Sequence, residues 1–477
     1  MNRLRLAPVL AAAVLALTTL VPVVAQAQPV PTAAVTPPAT PLIGEPLVFP
    51  VTFDNTGSAT GFGPYLDLVL PATGADGAGA ALDDGITFAS ATFLGSPVTS
   101  VVLTFDAFGN ATHPYARTVA GAPVVVTGTA GDQLVVLQLP FGSFTTIQPA
   151  ATVQVTATLS ALADANTALN IRARGGFQYG ADALNNPTTD PSILGAFTAN
   201  QPVTPAIWRL TKTYVGPEDE TATGPNFPRQ YRIDVDIATG QTVTNVDLTD
   251  ALPGNLQFLA VVSTLINNVP AAATAVATPS TTAPGGTLTR RFASVTGTAG
   301  TQDASVIFSY YVPRVDSGAA AVIDPTSGDD ATSIDDASAR GNWTPIDGRD
   351  APTAIVSDVT AIDHTLTPKS IAIQKSVTIA VDTGAAGPTP GDTLEYTLAV
   401  QVSDYFAMQD LVVTDLISDG QRWPTGVAPV LTIAEHSGGT SAAAAMNAAN
   451  YTFGISGTTG ETTATFRIGP EQLTRGL

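Results

Sequence analysis

A chain of 477 residues with 44% hydrophobic and only 12% charged residues is long enough for about three domains, each able to build a core beneath a surface made chiefly of Thr, Ser, Asn, Gln and Gly. A net charge of −20 with no basic cluster excludes a nucleic-acid groove and indicates a solvated acidic exterior. Cysteine is absent, which excludes disulfides, thiol catalysis and Cys-ligated metal sites, while 42 glycines and 37 prolines suit short strands and many turns.

Residues 1–27 read as a secretory signal peptide. Arg3 and Arg5 form the positive start, Leu6 to Val24 the apolar stretch, and Ala25-Gln26-Ala27 fits the small-x-small cleavage rule. The protein is therefore expected to be exported, extracellular or at the cell surface. No later segment approaches an uninterrupted run of ~18 apolar residues, so no transmembrane span is expected beyond the signal peptide. Residues 28–41, rich in Pro, Ala and Thr, read as an extended linker.

A first β unit is expected over 42–204. Its strand candidates are Leu47 to Phe53, Tyr65 to Leu70, Val98 to Phe105, Pro123 to Thr127, Gln133 to Leu139, Thr152 to Leu159 and Leu169 to Arg174, parted by turn signals such as Ala130-Gly131-Asp132. A second unit is expected over 205–367, with strands from Arg209, Gln230, Val246, Leu256, Leu288 and Ser305 and a long surface loop between Pro270 and Gly286. A third is expected over 368–477. Many short strands with polar turns give an all-β fold class of tandem β-sandwich domains behind the cleaved signal peptide.

Units two and three carry matching landmarks. Lys212 in Arg209-Leu210-Thr211-Lys212-Thr213 and Lys375 in Ile373-Gln374-Lys375-Ser376-Val377 lie 163 residues apart. Asp250, in Val246-Asp247-Leu248-Thr249-Asp250, and Asp415, in Val412-Val413-Thr414-Asp415, lie 165 apart. Two landmarks at nearly one spacing indicate a tandem repeat. By that spacing unit three lacks its closing strands, and the expectation is that the available chain stops inside a domain. Unit one has no lysine.

The stretch Gly391-Asp392-Thr393-Leu394-Glu395-Tyr396-Thr397, followed by Val412-Val413-Thr414-Asp415, resembles the bacterial surface-repeat family known as domain of unknown function eleven, and is similar to the related isopeptide-forming fimbrial domains. The resemblance is best in unit three, moderate in unit two and only in outline in unit one. It implies Ig-like sandwiches in long secreted or surface-attached proteins. It also implies a reaction in which a first-strand Lys joins an Asn or Asp on the last strand while a buried acid handles the protons. Burial favours the neutral amine and the protonated acid that such a step needs. In unit two the implied set is Lys212, Asp250 as the acid and Asp336 as the acceptor. Asp336 precedes Ala337-Ser338-Ala339, whereas the family shows Asn-x-Ala, so this position departs from the pattern. Unit three offers Lys375 and Asp415 with the acceptor missing. The plainer alternative is that each lysine makes an ordinary ion pair.

Signals for other chemistry are sparse. His113, His364 and His436 are widely spaced and read as surface or loop residues. No metalloprotease helix motif, nucleophile elbow or phosphate loop occurs, and no cofactor is expected. Asp329, Asp330, Asp335 and Asp336 supply oxygens for a calcium ion, against the simpler reading of a solvated acidic loop. The leading functional expectation is a non-catalytic, secreted or cell-surface structural repeat protein of stalk or adhesin type, with surface glycans, proteins or neighbouring repeats as partners. The alternative is a spacer region within a larger secreted carbohydrate-active or other hydrolytic enzyme.

Overall fold

The computed structural model describes residues 27–76, 84–182, 191–217, 221–300, 302–323, 333–359, 365–384, 386–435, 439–469 and 475–476. The stretch expected to be a signal peptide lies outside the described residues except for Ala27. Among the described residues, all regular structure is β apart from one 3₁₀ turn at Ala448–Asn450.

The first sandwich has ten principal strands: β1 (Pro31–Val35), β2 (Pro46–Asn55), β3 (Pro64–Leu70), β4 (Ile86–Phe93), β5 (Thr99–Thr104), β6 (Asn110–Arg117), β7 (Pro123–Thr127), β8 (Gln133–Gln138), β9 (Ala151–Leu159) and β10 (Leu169–Phe177). One sheet has the order β1-β2-β9-β4 and the other β10-β3-β8-β5. Alternation on β2 sends Leu47, Phe49, Val51 and Phe53 into the core and Val48 to solvent. Each such burial stabilises by about 1.5–3 kcal/mol. Strand β3 is buried on both faces, which explains its apolar character apart from Asp67. Leu66, Leu68 and Leu70 join the core between the sheets, while Tyr65 and Val69 lie under a second cluster with Ala111 and Val126 of the β6–β7 hairpin. Residues 31–35, expected as linker, instead form the edge strand β1, antiparallel to residues 51–55 of β2. Pro and Thr at an edge strand are compatible with pairing on one side only.

The second sandwich comprises β11 (Trp208–Gly216), β12 (Arg229–Ile237), β13 (Thr242–Leu252), β14 (Gln257–Ile266), β15 (Gly286–Thr296), β16 (Ala304–Tyr311), β17 (Asp336–Trp343) and β18 (Thr353–Val359). Its sheets run β11-β12-β16-β14 and β15-β13-β17-β18. The expected loop between Pro270 and Gly286 contains one short strand, Thr274–Ala277, which pairs with β15 at the sheet edge. Its run of Ala and Thr hid the pairing because the strand is largely exposed on both faces.

Among the described residues no sheet crosses from those before Val203 to those after Trp208, yet the join is packed. Ile43 donates its backbone N–H to the Ala206 carbonyl at 3.0 Å, and the Trp343 indole donates to Gln241, whose side-chain amide donates to the Ala161 carbonyl. Leu42, Ile43, Ile207 and Trp208 belong to one continuous core shared by both sandwiches.

The third unit holds β19 (Ile371–Val381) paired with β20 (Thr393–Val402), and β21 (Leu411–Ile417), β22 (Tyr451–Ile455) and β23 (Thr462–Ile468) in the order β21-β23-β22. A cleft of about 1540 Å³ lies against the apolar faces of these strands, with Leu394, Tyr396, Leu398, Val413 and Phe466 on its walls. Asn226 and Thr223 of unit two clasp Asp404 and Lys369 at the join.

Phe53 is fully buried and meets Phe144 and Phe177 edge-on at 5.1 and 5.4 Å. Phe53→Ala should destabilise the chain by about 3–5 kcal/mol in urea unfolding, because the rings around it leave a cavity. A loss under about 1 kcal/mol would mean that the core collapses around the gap.

Candidate functional site

Lys212 stands on β11 opposite Ile233 of β12, and Asp250 stands on β13 opposite Ala337 of β17. The two strands belong to different sheets, so the alternation that turns both side chains inward makes them meet across the core. The third member is Asp335, one residue before β17. Lys212 Nζ lies 3.0 Å from Asp250 Oδ2 and 2.9 Å from Asp335 Oδ2, and all three side chains are fully buried. These separations are those of hydrogen bonds, but the angles are not. The ammonium also sits over the Tyr231 ring, 4.4 Å from its centroid, and Tyr231 stacks on Tyr310.

Burial dominates the electrostatics. It pushes the carboxyls of both Asp250 and Asp335 upward, and for Asp250 the neighbouring Asp335 adds to the effect while Lys212 opposes it. The site therefore brings together a lysine, an acid biased towards its neutral form and a second carboxyl within reach of the amine. A lysine next to such acids can pass its proton to one of them, and the free amine then faces the carboxyl carbon of the other.

The carboxyl beside Lys212 is that of Asp335 and not that of Asp336, the acceptor expected from the resemblance. Asp336 opens β17 with its side chain exposed, and Ala337 beyond it is buried. Asp335 takes the inward place instead. The period of two on β17 puts any residue adjacent to a buried one outside, and the choice between 335 and 336 turns on that phase. The same finding removes two of the four calcium candidates as a pair, since Asp335 is engaged by Lys212 and Asp336 faces solvent. Asp329 and Asp330 lie outside the described residues.

Unit three repeats part of the arrangement. Lys375 Nζ is 2.6 Å from Asp415 Oδ1 and lies over the Tyr396 ring at 4.6 Å, as Lys212 lies over Tyr231. Its side chain is 39% exposed, however, so water solvates the ammonium and the pair has the character of an ordinary surface ion pair.

His113, expected at the surface, is buried on β6. Its Nε2 lies 2.8 Å from Asp67 Oδ1, and its Nδ1 accepts from the backbone N–H groups of Tyr115 and Ala116. Arg174 donates to the other Asp67 oxygen at 2.7 Å. Both ring nitrogens are engaged, so this imidazole has no lone pair to serve as a base, and the network fastens the hairpin to β3 and β10. The signal for it was Asp67 standing alone in the apolar run of β3. His364 and His436 lie outside the described residues.

No protein-family model matches the chain, and no curated protein does, so the surface-repeat resemblance rests on the quoted residues alone. Among solved structures the chain is similar to the major pilin subunit BcpA of Bacillus cereus, at 10% identity, covering 79% of this chain and 93% of that one with a TM-score of 0.25. It is similar to the full-length major pilin SpaD of Corynebacterium diphtheriae, at 11% identity, covering 76% and 67% with a TM-score of 0.24. A third similarity is to the C-terminal domain of the Streptococcus pyogenes antigen I/II-family protein AspA, at 8% identity, covering 69% and 98% with a TM-score of 0.22. Likeness this loose transfers no property to the chain.

Lys212→Met leaves two buried carboxyls without their cation. The expected cost at neutral pH is about 3–5 kcal/mol, the range for breaking a buried pair by removing one partner. Both acids have folded pKa values above their unfolded ones, so the folded state holds more protons and their penalty grows as pH rises through the folded values. The gap between variant and wild type in chemical denaturation should accordingly shrink as the pH is lowered through the raised carboxyl values. A gap that stays constant or widens would contradict the assignment.

Proposed function

We propose that the chain is a secreted or cell-surface structural protein of stalk or adhesin type, in which unit two is closed by a covalent Lys212–Asp335 amide. The observation that carries this reading is the fully buried cluster of Lys212, Asp250 and Asp335 between the opening strand and the segment entering β17. The signal-peptide pattern supports export, and tandem sandwiches suit a protein that holds its parts in line.

The reaction balances without a cofactor. Lys212 gives a proton to the Asp335 carboxylate and becomes a neutral amine. Protonated Asp250 hydrogen-bonds to the Asp335 carbonyl oxygen and polarises it. Nζ attacks the carboxyl carbon, a C–N bond forms, and Asp250 relays a proton from nitrogen to the departing hydroxyl. One water leaves and Asp250 ends as it began. The apolar surroundings favour the neutral forms of amine and acid that begin this sequence.

The purpose of the bond follows from the topology. In unit one, β2 pairs directly with β9, so an early and a late strand share a backbone ladder. In unit two the opening strand β11 pairs with β12, and β17 lies in the other sheet. A side-chain amide would supply the tie that the ladder supplies in unit one. Pulling force would then bypass the strands between, and the unfolded chain would keep a closed loop of well over a hundred residues, worth up to about 5 kcal/mol by the chain-entropy model for cross-links.

Intact-mass analysis of the exported chain should show one water fewer than the sequence requires. Peptide mapping should find Lys212 joined to Asp335, and Asp250→Ala and Asp335→Ala should each restore the full mass while Asp336→Ala keeps the deficit. Full mass in the wild-type chain, with tryptic cleavage at Lys212 after denaturation, would leave a buried ion pair and no bond.

A further inference from the structure

Among the described residues, unit three has a gap where unit two has a strand. In unit two, β16 lies between β12 and β14 and is antiparallel to both. Tyr231 of β12 stands opposite Phe308 of β16 and stacks on Tyr310, with ring centroids 4.8 Å apart. Strand β20 is the counterpart of β12. Lys375 stands opposite Leu398 as Lys212 stands opposite Ile233, and Tyr396 lies under its lysine as Tyr231 does. Residues 427–434 follow β21 as β14 follows β13. Of the described strands only β19 pairs with β20, and Val430–Leu431 pairs with Ala444–Ala445, so no strand joins β20 to residues 427–434.

The place where β16 would lie is open. Every residue from 393 to 402 and from 427 to 434 lines the cleft of unit three. A cleft over one face of a sheet is lined by alternate residues of each strand. Lining by consecutive residues means that the cleft also reaches the edges of both segments. Edge N–H and C=O groups without a neighbouring strand are a template for one. The side chains differ accordingly between the units. Tyr231, Ile233 and Val235 are fully buried with β16 beside them, whereas their counterparts Tyr396, Leu398 and Val400 are only half-buried.

We propose that the slot between β20 and residues 427–434 receives an extended segment of a partner polypeptide, which enters antiparallel to β20 as the middle strand of the sheet. Strand β16 shows what such a guest must carry. It is eight residues long, and Ala304, Val306, Phe308 and Tyr310 at alternate positions are all buried. A fitting segment is therefore of similar length, apolar at every second position, uncharged along its middle, and aromatic where it stands opposite Tyr396. Main-chain hydrogen bonds to the open edges give such a complex its affinity, and the alternate side chains give it selectivity. The inference rests on the likeness of units two and three and is independent of an amide at Lys212.

The probe is a synthetic peptide of residues 302–314, which contains β16, carrying a fluorophore at its N-terminus. Anisotropy should show saturable binding of one peptide per exported chain. Hydrogen exchange read by mass spectrometry should slow by at least about tenfold at residues 393–402 and 427–434 when the peptide is added, and stay unchanged at β12 and β14 of unit two. A peptide with Val306→Glu and Phe308→Glu should bind at least about tenfold more weakly, because it carries charges into an apolar slot. Leu398→Glu in the chain should weaken the unaltered peptide in the same way. The absence of binding overturns the proposal, as does equal binding of the two peptides. Slow exchange at residues 393–402 before any peptide is added also overturns it, since the chain itself or a second copy would then fill the slot.

Discussion

Desolvation is the constraint on which the chemistry of this chain depends. A sandwich core made of Val, Leu, Ile and Phe has no water to spare for a charge, so each ionisable group drawn into it must find a partner or change its protonation. Lys212, Asp250 and Asp335 partner one another, and burial pushes the two carboxyls upward. They are held there by backbone geometry, since the inward phases of β11 and β13 and the entry to β17 converge on one point. The same lysine–acid–tyrosine set in unit three, left open to water at Lys375, is a built-in control. Similar residues with similar contacts differ in solvation, since Lys212 is buried and Lys375 is 39% exposed.

The general plan was legible in the sequence because period-two alternation and turn residues are local signals. The strands at Pro123–Thr127, Gln133–Gln138 and Ala151–Leu159 coincide closely with their sequence candidates, since each has an apolar run bounded by Gly, Pro or Asp. The edge strand at Pro31–Val35 was not legible, because its strand character comes from pairing with β2 and its composition is that of a linker. Ile86–Phe93 was hidden too, since its outward residues interrupt the apolar pattern.

The site was legible to within one residue. Lys212 and Asp250 stood out through the repeat spacing, which relates chain positions without needing coordinates. Asp335 and Asp336 are neighbours of one type, and only the phase of β17 distinguishes them. The Asp67–His113–Arg174 network and the buried Asp84 were harder still. Asp67 lies 46 residues from His113 and 107 from Arg174, and the three come together only in the fold. Asp84 reads in sequence as the second acid of Leu82-Asp83-Asp84-Gly85, and only its burial marks it.

The join between the first two sandwiches has a thermodynamic consequence. Because Gln241 links the Trp343 indole to the Ala161 carbonyl, and because Leu42 and Trp208 lie in one uninterrupted core, neither sandwich can melt without exposing apolar surface that the other needs covered. The pair is then a single cooperative unit of more than 300 residues, larger than an ordinary domain, with a correspondingly large heat of unfolding. The third unit is tied to the same body, since Tyr405 and Phe406 pack against that core and Ala372 clusters with Ala222 and Phe227.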